Sequence, residues 1–278
     1  VATSNTATVQ PVYGESQAPA APRPVPVADL SADPVCTIRN LTKSFSGTTH
    51  ILRGIDLNIG QGESVALIGS NGAGKSTLLR CLVRLIEPNG GSIHLLDRPV
   101  MELGNRQLRR LRSQVGFVFQ RHNLVPRLTA LTNVLHGAQA TQSGPRVWYQ
   151  SFASSETRQH AMHCLDRVGL SDIALRRADQ LSGGQSQRVA IARTLMQKPK
   201  FVIADEPVAS LDPVAGLEVM DLFVQLLRED GITLLFTSHH LGQAIEFSDR
   251  VIGLQAGQVT LNCQSAKAHI SELQHVYE

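Results

Sequence analysis

The sequence predicts an α/β fold built on a mostly parallel sheet. Three observations carry this. Short apolar runs of strand length alternate with stretches whose apolar residues recur at helical spacing. Residues 69–77 read Gly-Ser-Asn-Gly-Ala-Gly-Lys-Ser-Thr and fall between one such strand and one such helix. A second apolar strand, 201–204, runs straight into Asp205-Glu206. The length of 278 residues permits one large domain or two small ones, and no internal repeat is visible.

Taken in order, residues 1–34 carry six of the 13 prolines together with many Ala, Thr and Ser, without apolar periodicity. They are expected to be a disordered tail. No Lys or Arg precedes Arg23 and no apolar core follows, so the segment does not read as a secretory signal. A Pro-rich ligand for another protein and a dispensable linker are both open readings. The fold begins near Val35. Residues 36–41 alternate like a strand, and Phe45 is expected in the loop after it. Residues 52–59 alternate again, with Ile55, Leu57 and Ile59 on one face. Residues 63–68 read as a buried strand. Leu78, Leu79, Leu82, Val83 and Ile86 give a helix over 75–86, stopped by Glu87-Pro88-Asn89-Gly90-Gly91. A strand at 92–96, a basic helix at 103–111 and a strand at 115–119 follow, the last ending at Gln120.

Strand runs then cease. Residues 121–180 read as a helical insertion, with a turn at Gly144-Pro145 and a helix over 157–168 that aligns Ala161, Leu165 and Val168. Leu181-Ser182-Gly183-Gly184-Gln185 opens a helix over 186–196. After 201–204, Val219, Leu222, Phe223, Leu226 and Leu227 form a helical stripe. Residues 232–237 form a strand ending in Ser238-His239-His240. A hairpin, 251–254 and 258–261, turns at Ala256-Gly257, and a helix near 270–276 closes the reading.

Hydrophobic content of 42% is ordinary, and no apolar run approaches the roughly 18 residues of a membrane span. A formal charge of +3 with no basic block gives no argument for nucleic acid as a partner. Cys36, Cys81, Cys164 and Cys263 have neither metal nor redox spacing, and read as reduced packing residues of a cytosolic protein.

The chemistry is concentrated in two places. Gly69, Ser70, Asn71, Gly72, Ala73, Gly74, Lys75, Ser76 and Thr77 fit Gly-x4-Gly-Lys-Ser, a phosphate-binding loop. Gly72 and Gly74 let backbone N–H groups approach phosphate oxygens, and the helix start adds positive potential there. Lys75 is a point charge for the outer phosphates, and the Ser76 hydroxyl is placed to ligate Mg²⁺. At the other place, Asp205 can hold Mg²⁺ through water, while Glu206 can orient or deprotonate a water.

The ordered set of motifs resembles the ATP-binding subunit of ABC transporters, over about residues 35–265. Leu181-Ser182-Gly183-Gly184-Gln185 resembles the ABC signature, with Ser186 where the family often has Gln or Lys. The resemblance implies a P-loop NTPase domain: a mostly parallel core, an antiparallel β subdomain and the helical insertion. It implies that Phe45 stacks on adenine, although a core aromatic is the competing reading. It implies that Gln120 senses Mg²⁺ and the attacking water, and that Ser210-Leu211-Asp212 communicates across a dimer. Asp212 can also cap the next helix, with Pro213 in its first turn. His239 matches the family's switch histidine; His240 is adjacent, and the resemblance favours His239 because it precedes a helix at 241–247 as the family's histidine does. Lys75, Gln120, Glu206 and His239 are thus the implied catalytic set. Ser76, Gln120 and Asp205 are the implied Mg²⁺ set. ATP is implied to lie between residues 69–77 of one copy and Ser182, Gly183, Gly184 and Gln185 of a second, packed head to tail.

Within the family, Leu78-Leu79-Arg80-Cys81, residues 123–129, Arg177-Ala178-Asp179-Gln180 and residues 207–213 are similar to the phosphonate importer ATPase. That implies transmembrane permease subunits, a periplasmic or lipid-anchored solute-binding protein, and a place on the cytoplasmic face of the inner membrane. Other readings stay open: an importer ATPase for another solute, an ABC-like subunit of carbon–phosphorus lyase, or a mechanical ATPase on ribosomes or DNA. The ribosomal class carries tandem modules and the DNA class long coiled coils, neither of which is in this sequence. Residues 120–129 combine Leu124, Val125 and Leu128 with Arg121 and Arg127. They read as a groove for a permease helix, or as a loop docking on its own insertion.

Overall fold

The computed structural model describes residues 34–45, 49–120, 122–140 and 153–277. The expected tail up to residue 33, Arg121 and the Gly144-Pro145 turn lie outside the described residues. Two sheets form the frame. The antiparallel one contains β1 (Pro34–Phe45), β2 (Thr49–Gly60), β4 (Gly90–Leu95) and the two-residue β5 (Arg98–Pro99), in the order β2-β1-β4-β5. The other contains β3 (Ser64–Ile68), β6 (Val115–Val118), β7 (Phe201–Ala204), β8 (Thr233–Thr237), β9 (Arg250–Gln255) and β10 (Gln258–Gln264). Its order is β10-β9-β3-β8-β7-β6, and only β10 runs antiparallel to its neighbour.

The central strands are buried along their whole length, as a sheet covered on both faces requires. Period-two alternation sorts their side chains between two cores. Val65, Leu67, Phe201, Ile203 and Leu235 face the antiparallel sheet, together with Leu78, Leu79 and Leu82 of α1 (Lys75–Leu82) and Leu108 and Leu111 of α2 (Asn105–Arg112). Ala66, Ile68, Val202, Ala204, Leu234 and Phe236 face the opposite way. There they meet the helices α3 (Ala130–Leu135), α4 (Ser155–Arg167), α5 (Gly183–Met196), α6 (Pro213–Glu229), α7 (Leu241–Glu246) and α8 (Ile270–Gln274). Among the described residues no helix is long and apolar enough to cross a membrane. Cys36, Cys81 and Cys164 are buried and unpaired. Burial pushes the Cys36 thiol up to about 12 and those of Cys81 and Cys164 up to about 11, so they pack rather than react.

Three elements differ from the sequence reading. Phe45 is the last residue of β1, not a loop residue. The strand continues through a register shift between Ile38 and Leu41, where Asn40 takes φ +45°. That irregularity breaks the alternation which made the strand look shorter. The first helix stops at Leu82, one turn early. Arg84 takes φ +51°, its N–H donating to the Cys81 carbonyl while that of Leu85 donates to Arg80. This is a Schellman closure without the usual glycine. The guanidinium offsets the backbone cost: it donates to the carbonyls of Val100, Met101 and Leu103 and pairs with Glu87. Finally, α5 begins at Gly183, so the signature is the helix's first turn rather than a loop before it.

Because β3, β6, β7 and β8 run parallel, their C-terminal ends share one edge. Leu67 pairs with Thr237, Ala204 with Phe236 and Val118 with Ala204. The residues that follow, Gly69, Gln120, Asp205 and Ser238, therefore emerge side by side, where open α/β sheets bind ligands.

Candidate active site

The phosphate loop leaves β3 through Gly69, which no other residue can replace. Its φ is +150°, and a Cβ there would lie 2.1 Å from the Leu254 carbonyl oxygen. Gly74 precedes α1 at φ +107°, with a Cβ position 2.9 Å from Leu52. Between them the loop curls around the Lys75 ammonium, which donates to the carbonyls of Gly69 at 2.7 Å and Ser70 at 3.2 Å. Lys75 is only 6% exposed. Burial pulls its pKa below the ordinary lysine range, while the Glu206 and Asp205 carboxylates push the other way. A phosphate entering the loop meets a cation already stripped of much of its water.

Asp205 leaves β7 with its Oδ1 accepting from the Ser76 hydroxyl at 3.0 Å and the Thr237 hydroxyl at 3.1 Å. The Thr237 oxygen in turn accepts from the Glu206 N–H at 2.8 Å. These bonds tie the ends of β7 and β8 to the start of α1. They also hold Glu206 at φ +51°, a conformation costing a non-glycine residue about 1–3 kcal/mol. That turn swings its carboxylate to His239, with Oε1 2.5 Å from Nε2. The neighbouring His240 is exposed and takes the cap position of α7, so His239 is the histidine brought to the carboxylate. Gln120 lies two residues beyond β6, exposed, at the same edge.

Phe45 is 43% exposed, with the Lys43 ammonium 4.9 Å above its ring. It is a surface aromatic rather than a core one. With Ile51 it lines a cleft of about 220 Å³ that continues over Asn71, Gly72, Gly74, Lys75, Ser76 and Thr77 to Glu206. An aromatic wall, an anion cradle and a carboxylate thus share one space.

Ser182, Gly183, Gly184 and Gln185 do not line this cleft. Ser182 caps α5: its hydroxyl accepts from the Gln185 N–H at 3.2 Å, and the Gln185 side chain accepts from the Ser182 N–H at 3.1 Å. The cap leaves Ser182 and Gly183 exposed. Leu211 packs beside it, since a Cβ on Gly183 would lie 3.1 Å from its side chain. Asp212 caps α6 as its sequence context predicts, accepting from the Ala215 N–H at 3.0 Å.

Two residues were not singled out from the sequence. Asn133 on α3 is fully buried and fixes the segment after Gln120. Its Oδ1 accepts from the Val125 N–H at 2.7 Å, and its Nδ2 donates to the carbonyls of Val125, Leu128 and Thr129. Arg193 on α5 donates to the carbonyls of His122 and Asn123. Nothing in one sequence marks them: an Asn inside an apolar helix and an Arg in a helix's last turn are ordinary.

Residues 52–209 match the family model described as ABC transporter. The chain therefore belongs to the ABC transporter family, as an ATP-binding cassette. It is 41% identical over 240 residues to the phosphonates import ATP-binding protein PhnC 2 of Oceanobacillus iheyensis, covering 86% of this chain and 94% of that one. It is 44% identical over 222 residues to PhnC 1 of Rhodopseudomonas palustris, covering 80% and 79%. Among solved structures, cbiO1 of Clostridium perfringens, part of the cbiONQ complex, is similar with a TM-score of 0.77 at 30% identity, over 87% and 93% of the two chains. The dimeric, ADP- and phosphate-bound cassette MJ0796 is similar with a TM-score of 0.72 at 34% identity, over 83% and 98%.

Proposed function

We propose that this chain is the ATP-hydrolysing subunit of an importer for phosphonate- or phosphite-type solutes, working as a head-to-tail pair. The observation that carries the ATPase reading is the cleft joining Phe45, the phosphate loop and Glu206, with the exposed signature turn outside it. One copy thus offers two parts of a site that do not share one cleft. A second copy, turned head to tail, completes both. The dimeric cassette among the similar structures supports this arrangement.

In this reading Phe45 stacks on the adenine, and the loop amides with Lys75 take the outer phosphates. Ser182, with the Gly183 and Gly184 amides of the second copy, closes on the terminal phosphate. Glu206, oriented by His239, accepts the proton of the attacking water, and Gln120 positions that water. The donors around Asp205 fit Mg²⁺: one carboxylate and one hydroxyl are oxygen ligands that leave room for waters and phosphate oxygens. Ser76 and Asp205, with Gln120, would hold the ion, which when bound neutralises phosphate charge. ATP favours the closed pair because it touches both copies only there, and hydrolysis releases that preference.

The solute assignment rests on the similarity to phosphonates import ATP-binding proteins. The partners in this reading are transmembrane permease subunits and, through them, a periplasmic or lipid-anchored solute-binding protein. The subunit sits on the cytoplasmic face of the inner membrane. The test is ATPase activity of the assembled transporter in liposomes with its binding protein. Stimulation by a phosphonate or phosphite, and not by amino acids or sugars, is expected. Stimulation by an unrelated solute overturns the solute assignment.

A further inference from the structure

After β10 the chain turns through α8 and returns to the edge of the sheet that carries the site. Two packing devices seat it there. Leu273 is fully buried in the helix-side core, and the Tyr277 ring packs against the same core. Val276 is 3% exposed and occupies the space over Gly253 of β9, where an added Cβ would come within 2.7 Å of its Cγ2. A glycine inside a strand that leaves room for another segment is a specific accommodation.

The seating brings the Tyr277 hydroxyl 3.4 Å from the Ser238 carbonyl oxygen. The Gly69 backbone lies near enough to the Tyr277 phenol to favour its charged form. Ser238 links β8 to His239, and Gly69 opens the phosphate loop after β3, the strand beside β8. One side chain therefore bonds the histidine segment beside the start of the phosphate loop, two segments that the sequence separates by about 170 residues and that the Ser76 and Thr237 hydroxyls also tie together through Asp205. Burial and the nearby Glu206 carboxylate raise the phenol's pKa, with the Gly69 backbone opposing them, so the group stays a neutral donor at neutral pH.

We propose that Tyr277 is a positioning residue whose hydroxyl fixes the Ser238 carbonyl and so sets His239 against Glu206 over the phosphate loop. The proposal rests on the catalytic reading of Glu206 and His239 given above. A ring that merely plugs the sheet edge would fill the same space but would not need the oxygen.

The full chain is compared with Tyr277→Phe, His239→Ala and the double variant, by single-turnover ATP hydrolysis, ATP affinity and thermal melting. Tyr277→Phe is expected to slow hydrolysis about three- to tenfold, the loss of one positioning hydrogen bond. ATP affinity should stay within about twofold, because Phe preserves the packing under the loop. In the His239→Ala background the same change should cost nothing further, since the two residues act in series. An unchanged rate in Tyr277→Phe overturns the proposal, whether or not the melting midpoint falls. An equal slowing with and without His239 overturns it too. Wild-type hydrolysis by His239→Ala alone is a different failure: it overturns the catalytic reading on which the proposal stands.

Discussion

Glu206 holds a left-handed backbone, a donor from its own N–H to Thr237, and a carboxylate on His239. Three constraints on one residue hold its carboxylate at the mouth of the phosphate-loop cleft, as the proposed role of a base requires. Glu206→Gln should therefore bind ATP as well as the native chain and slow single-turnover hydrolysis by roughly 10²–10⁴-fold, the usual worth of a positioned base. Rapid-quench measurement checks it, and a native rate would remove Glu206 from that role. At this scale much was legible. Lys75, Ser76, Asp205 and Glu206 are marked by spacing and by the strands that deliver them. Thr237 was not: a hydroxyl at the end of an apolar strand carries no signal until β7 and β8 are paired. Arg193 and Tyr277 were missed for the same reason, since their partners are backbone atoms distant in sequence; Asn133 was missed although its partners lie only four to eight residues away, because an Asn in an apolar stretch does not show which backbone groups it holds. The choice of His239 over His240 rested on the resemblance, and the turn after β8 bears it out by bringing His239 to Glu206 and His240 to the cap of α7.

At the level of elements, residues 122–129 are clamped from two sides, by Asn133 of α3 and by Arg193 of α5. The segment also pairs with residues 174–179, where the Ala130 N–H donates to Arg176, that of Ala178 to Leu128 and that of Asp179 to Pro126. Leu124 packs on the protein's own core, as the docking alternative expected. Val125 and Leu175 remain 43% and 69% exposed. Removing the Asn133 side chain takes the acceptor from the Val125 N–H and empties a buried polar site, while the carbonyls of Val125, Leu128 and Thr129 keep their backbone donors. Asn133→Ala should lower stability by about 2–3 kcal/mol in urea denaturation. An exposed apolar residue beside Arg127 suits a partner helix better than water does. Val125→Asp should thus keep ATP affinity in the isolated subunit, yet abolish solute stimulation of the assembled transporter. Full stimulation in that variant would locate the permease contact elsewhere. The order and type of the elements were readable from periodicity, while their ends were less so. The first helix closes on an arginine because three distant carbonyls hold its guanidinium, which no local pattern announces. The helix that the signature opens starts three residues earlier than 186, because two successive glycines carry no helical signal while the Ser182 and Gln185 side chains cap its first turn.

For the molecule as a whole, the parallel sheet gathers the phosphate loop, Gln120, Asp205, Glu206 and His239 at one edge, and leaves Ser182 exposed outside their cleft. Among the described residues the signature turn does not line that cleft, as a site shared between two copies requires. The most direct measurement is ATPase activity on mixing two inactive variants. Lys75→Ala removes the cradle's cation, and Ser182→Arg blocks the signature turn. Neither homodimer retains an intact site. In a mixed pair, the native Lys75 of one copy faces the native Ser182 of the other, so one whole site is rebuilt. Neither variant alone should hydrolyse ATP, and mixing should give clear recovery that saturates below the native rate. No recovery from two folded, ATP-binding variants would contradict the composite site.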